Sequence, residues 1–260
     1  MTRFLLGVYF AIAVAFLVMP LVLLVPISLT DSQFLEFPPK HISMRWYREF
    51  FVDASWVNAT LLSFKVGIGA TLVALVVGTL ASVAIVRGNF PGRRVLHALL
   101  VAPLIIPTVI LALALFIVFL RWKWVDSVPA LIFAHAVVAL PYVVLIVSSS
   151  LRSFDTTLER AARVLGAGPL RAFFSVTLPY LGPSMFASSL LAFFASFDEL
   201  IITLFVSGGL QTLPVRIWTD LMLRLDPTVA AAATMLIVVS VVGMGVAEYF
   251  RQRNVRRYGN

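Results

Sequence analysis

Six runs of more than twenty mostly apolar residues divide this chain, at roughly 4–29, 60–86, 97–120, 129–150, 183–206 and 228–250. Lipid imposes a severe rule on such runs, because no water is available there to satisfy backbone N–H and C=O groups. A helix needs about 20 residues to cross a hydrocarbon core of about 30 Å, so each run is long enough to span it. The runs are continuously apolar rather than alternating in strands of about ten residues, which excludes a barrel. The expected fold class is therefore an all-α membrane protein with six transmembrane helices. Residues 1–260 read as a single transmembrane domain, with no stretch left over for a soluble one. Composition agrees: 61% of the residues are hydrophobic and 12% charged, where soluble domains hold about 45–50% and about 25%. The first run exceeds the roughly 7–15 apolar residues of a signal peptide and lacks a small-x-small cleavage site before Asp31, so it is expected to be a retained span.

Basic residues then orient the spans. One set of ends carries Arg3, Arg87, Arg93, Arg94, Arg152, Arg160, Arg163, Arg171, Arg251, Arg253, Arg256 and Arg257. The other carries Lys40, Arg45, Arg48, Arg121, Lys123, Arg216 and Arg224, diluted by Asp31, Glu36, Glu49, Asp53, Asp126, Asp220 and Asp226. The bias places both termini and the 151–182 loop in the cytoplasm. The net charge of +8 thus reports orientation, since the basic residues flank apolar runs, and no nucleic-acid partner is expected. The chain has no cysteine, hence no disulfide framework and no thiolate site. Pro103 and Pro107 interrupt the third run and Pro141 the fourth, which predicts kinks. Two outward segments are long enough to hold structure. Residues 30–57, with Met44-Arg45-Trp46-Tyr47 and Phe50-Phe51, suit an interfacial helix or an ordered loop, as do residues 207–227; Pro227 starts the last span.

The loop between the fourth and fifth runs is built to be touched. Thr156-x-x-Glu159 has the form of a capping box, predicting a helix from about Thr157. Leu158, Ala161, Ala162 and Leu165 recur at i, i+3, i+4 and i+7 and form one apolar stripe, with Arg160 and Arg163 away from it. Gly166 and Gly168 break that helix, and Pro169 is suited to begin a second. Leu170, Phe173 and Phe174 restore an apolar face before Leu178-Pro179 turns the chain towards the membrane. Two short amphipathic helices at the inner surface are expected. A lipid-seeking helix would show Trp, Phe and Leu on its buried face; here alanines dominate and allow close approach of another protein.

Taken together, Leu158-Glu159-Arg160-Ala161-Ala162-Arg163-Val164-Leu165-Gly166-Ala167 followed by Val176-Thr177-Leu178-Pro179 resembles the EAA loop of permeases of ATP-binding-cassette (ABC) importers. The similarity extends over nearly the whole chain, and Ser196-Phe197-Asp198-Glu199-Leu200 with Leu213-Pro214 looks like the second permease subunit of spermidine/putrescine systems. The resemblance implies a type I importer permease architecture in a bacterial inner membrane, forming half of a pathway for a small cationic solute. It also implies a second homologous permease, two copies of a cytoplasmic ATPase that binds ATP and Mg, and a periplasmic or extracellular solute-binding protein. No cofactor is implied in this chain. Glu159, Arg160, Ala161, Ala162, Gly166, Ala167, Leu178 and Pro179 would form the ATPase-coupling loop. One departure stands out: the glutamate usual directly before Ala-Ala is Arg160 here, with Glu159 one residue earlier.

Asp198 and Glu199 lie in the fifth run. Counted from Pro183, Asp198 is about 22 Å along a helix rising 1.5 Å per residue, at membrane depth, where a carboxylate defaults to a functional hypothesis. The pair is expected to line the substrate pathway. Ser188, Ser189 and Ser196 read as small packing residues, with Ser196 also a pathway candidate because it adjoins the pair. His41, His97 and His135 match no metal spacing, and no metal site is expected. No phosphate-binding loop G-x-x-x-x-G-K-[ST] is present, so ATP hydrolysis by that route belongs to another subunit and the chain is not expected to be an enzyme. An ion-coupled secondary transporter would favour internal repeats, and the sequence shows none.

Overall fold

The computed structural model describes residues 2–223 and 226–242. Residues 243–250 of the sixth run, with Glu248, lie outside the described residues, as do Arg224 and the tail Arg251–Arg257. The helices follow in the order α1 (Thr2–Ser28), α2 (Arg45–Val52), α3 (Ala54–Arg87), α4 (Arg93–Val101), α5 (Thr108–Arg121), α6 (Val128–Arg152), α7 (Thr156–Val164), α8 (Pro169–Ala172), α9 (Leu178–Phe197), α10 (Ile201–Val206), α11 (Leu213–Leu223) and α12 (Thr228–Val242). Apart from one isolated bridge between Thr30 and Ile42, every regular element among the described residues is helical. Four uninterrupted helical stretches, Leu5–Ser28, Ala54–Arg87, Val128–Arg152 and Pro169–Phe197, are long and apolar enough to cross a membrane, and a bent pair supplies a fifth. The apolar α12 accounts for the described part of the sixth run.

The third run is the bent pair. A 3₁₀ turn at Ala102–Leu104 extends α4, and α5 then leaves at 108°. Pro103 starts the 3₁₀ turn and Pro107 caps α5, so the two prolines act as their missing N–H groups dictate. Pro141 lies inside α6, which continues on both sides of it. Its surroundings explain this, because Ala139, Val143, Val144 and Val147 are fully buried on either side and hold the helix by packing while one backbone bond is lost.

The chain divides into two units, one made of residues up to 58 and from 216 onward, the other of residues 59–215. In the first, α1 leads to the bridge, where the Ser43 N–H donates to the Leu29 carbonyl at 2.8 Å. The aromatics of α2 face inward rather than to an interface, with Trp46 and Phe50 buried and only Phe51 exposed. Arg216 pairs with Asp220 at 3.1 Å and lies 5.3 Å over the Trp56 ring. Asp226 accepts from the Thr228 N–H at 2.8 Å and starts α12.

In the second unit α6 is the axis, packed along α9 and against α4, α5 and α10. Glycines of α3 allow close approach. A Cβ at Gly69 would lie 2.8 Å from Ile132, one at Gly78 2.8 Å from Val143, and one at Gly67 2.9 Å from Phe193, the small-residue packing expected in lipid. Two apolar clusters follow the axis, one around Val66, Phe119, Leu131 and Ile202, the other around Ala74, Val147, Leu151 and Leu181.

Candidate functional site

The α7 helix forms where expected but is capped one residue earlier. Asp155 is the N-cap and its carboxylate accepts the Thr157 N–H at 2.9 Å. The side-chain and backbone hydrogen bonds from Thr157 hold that carboxyl below its usual range. The Thr156–Glu159 box does not form, because Glu159 turns inward. It is 8% exposed. Arg87 at the end of α3 reaches its Oε2 at 2.8 Å and Thr177 donates to the same oxygen at 3.0 Å. Arg163 approaches Oε1 at 3.3 Å. A buried carboxylate needs such donors, and these three come from α3, α7 and the segment leading into α9.

Gly166 ends α7. Its φ is +90°; the Gly166 N–H donates to the Arg163 carbonyl and the Ala167 N–H to the Ala162 carbonyl, both at 3.0 Å. This pair of bonds is a Schellman cap, which favours glycine at the left-handed position. The second short helix expected after it is instead the beginning of a longer one. Helix α8 passes through a π turn at Phe173–Thr177 into α9, and the whole stretch from Pro169 to Phe197 is one 29-residue candidate span. Pro179 therefore sits inside this continuous stretch, two residues after the π turn, where its missing N–H leaves one bond of the helical ladder unmade. Arg160, Ala161, Gly166 and Pro179 are exposed, Ala162, Ala167 and Leu178 half-buried, and Glu159 buried. Val164 and Leu165 are each 88% exposed and Leu158 is also exposed. The outer surface of α7 is thus apolar residues beside arginines, its one acid withdrawn beneath.

The fifth run does not continue as one helix to residue 206. Helix α9 ends at Phe197, and α10 starts at Ile201. Asp198 is exposed on the break and Glu199 half-buried. The Glu199 carboxylate accepts the Ile202 N–H at 3.0 Å, so it caps α10. The two side chains therefore do different work. Asp198 is open to a ligand while Glu199 also holds backbone. At 20 residues, α9 is about 30 Å long, which puts the break at the opposite end of that helix from Thr177.

Ser196 is buried, and its partner is a residue that sequence reasoning passed over. His135 of α6 is 1% exposed. Its Nδ1 lies 2.9 Å from the Ser196 Oγ and 3.0 Å from the Ser196 carbonyl, and its Nε2 2.9 Å from the Thr203 Oγ1. The Thr203 hydroxyl also donates to the Glu199 carbonyl at 3.1 Å, and its lone pairs can accept from the imidazole at the same time. His135 so ties together the two helices that flank the break. The signal was available: a lone histidine in the middle of an apolar span seldom lacks a partner. Arg87 and Thr177 were missed because nothing local points to Glu159.

Set beside known proteins, the chain matches at several levels. The model of a family described as binding-protein-dependent transport system inner membrane component matches residues 70–256. Putrescine transport system permease protein PotI of Escherichia coli (strain K12) is 35% identical, over 93% of this chain and 91% of that protein. Spermidine/putrescine transport system permease protein PotC of Haemophilus influenzae is 28% identical, over 98% and 99% of the two chains. A chain in the crystal structure of a bacterial ABC transporter involved in the import of the acidic polysaccharide alginate superposes with a TM-score of 0.72, covering 96% of both chains at 14% identity. At that identity the likeness is one of fold, and the fold is that of an ABC importer permease.

Proposed function

The chain belongs to the binding-protein-dependent transport system inner membrane components, and we propose that it forms half of the pathway by which an ABC importer moves a polyamine-class cation inward. Similarity to a putrescine permease at 35% identity over 93% of the chain supports that substrate class. The acidic break at Asp198–Glu199 supplies the chemistry a polyamine needs, because an ammonium at a partly wet site gains about 1–4 kcal/mol from a carboxylate about 4 Å away. Asp198 is exposed to receive it. The other half comes from a second, homologous permease, and two copies of a cytoplasmic ATPase bind ATP and Mg and drive the cycle. A solute-binding protein outside the inner membrane delivers the cargo.

In this arrangement both termini and α7 face the cytoplasm, and the break at the other end of α9 faces outward. The exposed Leu158, Val164 and Leu165 with Arg160 enter a cleft on the ATPase. Closure of the ATP-bound dimer favours the outward-open permease, and hydrolysis resets it, a population shift driven by differential contacts. The test is uptake of labelled putrescine and spermidine by Asp198→Asn and Glu199→Gln complexes, with stimulated ATPase measured in parallel. Both substitutions remove charge while keeping shape, and an amide oxygen can still accept the Ile202 N–H. Uptake is expected to fall with ATPase docking intact. Wild-type uptake by both variants would show the pair to be structural.

A further inference from the structure

The ends of three helices line a half-open depression of about 320 Å³ formed by Ile85, Val86, Arg93, Arg94, His97 and Arg152, its three arginines exposed. Ile85 and Val86 come from the last turn of α3, the next three from the first turns of α4, and Arg152 closes α6. The lining has no acid. Guanidinium groups stay charged at any working pH, so three like charges converge here. Among the described residues none of the three arginines has a carboxylate within ion-pair distance. Arg93 donates to the Gly88 carbonyl at 3.2 Å. The neighbouring arginines show the contrast, since Arg87 and Arg163 both reach Glu159. That carboxylate is not in the lining, and the cavity keeps its positive field.

We propose that this cavity binds a phosphate-bearing anion, and that the anion is the head group of an acidic phospholipid. Three observations favour the lipid over a soluble phosphate. The cavity lies where α3 and α6, two helices of span length, end, which in the proposed topology is the depth of head groups. Ile85 and Val86 give it an apolar wall against which a glycerol and the first methylenes can rest. Its volume is at the low end of the roughly 300–1,000 Å³ of small-molecule sites, enough for a head group while the acyl chains stay in the bilayer. Basic pockets between spans recognise acidic lipids in this way. The bound phosphate would join the start of α4 to the end of α6, just before the Asp155 cap of α7.

The test uses the whole complex, delipidated in detergent and placed in nanodiscs of phosphatidylcholine with or without phosphatidylglycerol. Native mass spectrometry should find phosphatidylglycerol retained on the wild type and lost from an Arg94→Gln/Arg152→Gln variant, with affinity falling about fivefold per arginine removed. Arg121→Gln, in the last turn of α5, should retain it. A second measurement needs no variant: the melting temperature of the wild type should rise with the phosphatidylglycerol fraction. Retention that millimolar inorganic phosphate does not displace assigns the lipid. Protection of the wild type by inorganic phosphate in pure phosphatidylcholine, lost in the double variant, assigns a soluble phosphate to the same site. Equal lipid retention by wild type and double variant, with no effect of phosphate, overturns the proposal.

Discussion

Replacing Glu159 by glutamine keeps the volume of the side chain and removes the charge on which three donors converge. The contacts set the size of the effect. Arg87 at 2.8 Å is the shortest of the three. A full charge pair about 4 Å apart at an effective dielectric of 20 is worth about 4 kcal/mol. Arg87 keeps 27% of its side-chain surface in solvent, so water recovers part of that when the pair is lost. Arg163 is 54% exposed and, as an i,i+4 pair, contributes only about 0.3–0.5 kcal/mol. Thr177 can still donate to an amide oxygen. The net loss expected is about 2 kcal/mol, within the range for hydrogen bonds to charged groups, and it falls on the attachment of α7. That is about a 30-fold rise in local opening.

Backbone hydrogen exchange of residues 157–165 in the reconstituted complex reads this opening directly, with α6 as the internal standard. A double-mutant cycle assigns its origin. Once Glu159 is neutral, Arg87→Gln should add only what its contacts with Thr177 and Phe154 contribute, because the ion pair the two residues share is already gone. Unchanged exchange in α7, or strictly additive effects of the two substitutions, would refute the clamp.

Three further outcomes follow from the geometry. At Gly166 a Cβ would meet open space, so Gly166→Ala and Gly166→Trp share one backbone penalty of about 1–2 kcal/mol; only Trp adds bulk, and it alone should abolish uptake while membrane insertion persists, whereas equal uptake by the two would refute insertion of this turn into the ATPase. His135→Phe strands the Ser196 hydroxyl, while Thr203 keeps its bond to the Glu199 carbonyl, and should lower the stability of the complex by about 1–3 kcal/mol for the buried group left unpaired, a loss that His135→Gln should partly recover; a Phe variant melting with the wild type refutes the bridge. Asp155 has its folded pKa below the unfolded value, so its capping contribution is present above pH about 4 and is lost as pH falls through the folded value; a spin label at residue 158 should gain mobility below pH about 4 in the wild type and not in Asp155→Asn, and the same pH dependence in both would refute the cap.

Much of the fold was legible because lipid restricts the menu. Apolar runs of span length can be only helices there, and Pro103 with Pro107 marked the bend in the third run because a missing N–H acts locally. Pro141 did not divide the fourth run in two, since neighbours packed around α6 hold the helix on both sides of the lost bond. Glu159 shows another limit. Its spacing from Thr156 fits a capping box, but Arg87 and Thr177 are distant in sequence, and a charge-assisted bond to arginine outweighs a cap that Asp155 can supply. The carboxylates at 198 and 199 read as a pair within a continuous span. A half-buried acid next to a free backbone N–H is instead a way to start a new helix, and Glu199 does so for α10.

What the sequence could not show is that both candidate sites are fastened to the same helix. At the start of α9, Thr177 closes a π turn and gives its hydroxyl to Glu159, the carboxylate beneath the coupling surface. At the far end, Ser196 is bonded to His135, two residues before Asp198. The 20 residues between are helix packed along α6, about 30 Å long, and continuous through Pro183. If α7 docks as proposed, a displacement of it would reach Thr177 through the Glu159 bonds and pass along α9 towards the acidic break. His135 meets it there from α6, so the break moves relative to α6 only if the imidazole bonds to Ser196 or Thr203 exchange. These bonds are local, directional and few, and such a joint holds one of a small number of positions in preference to a continuum.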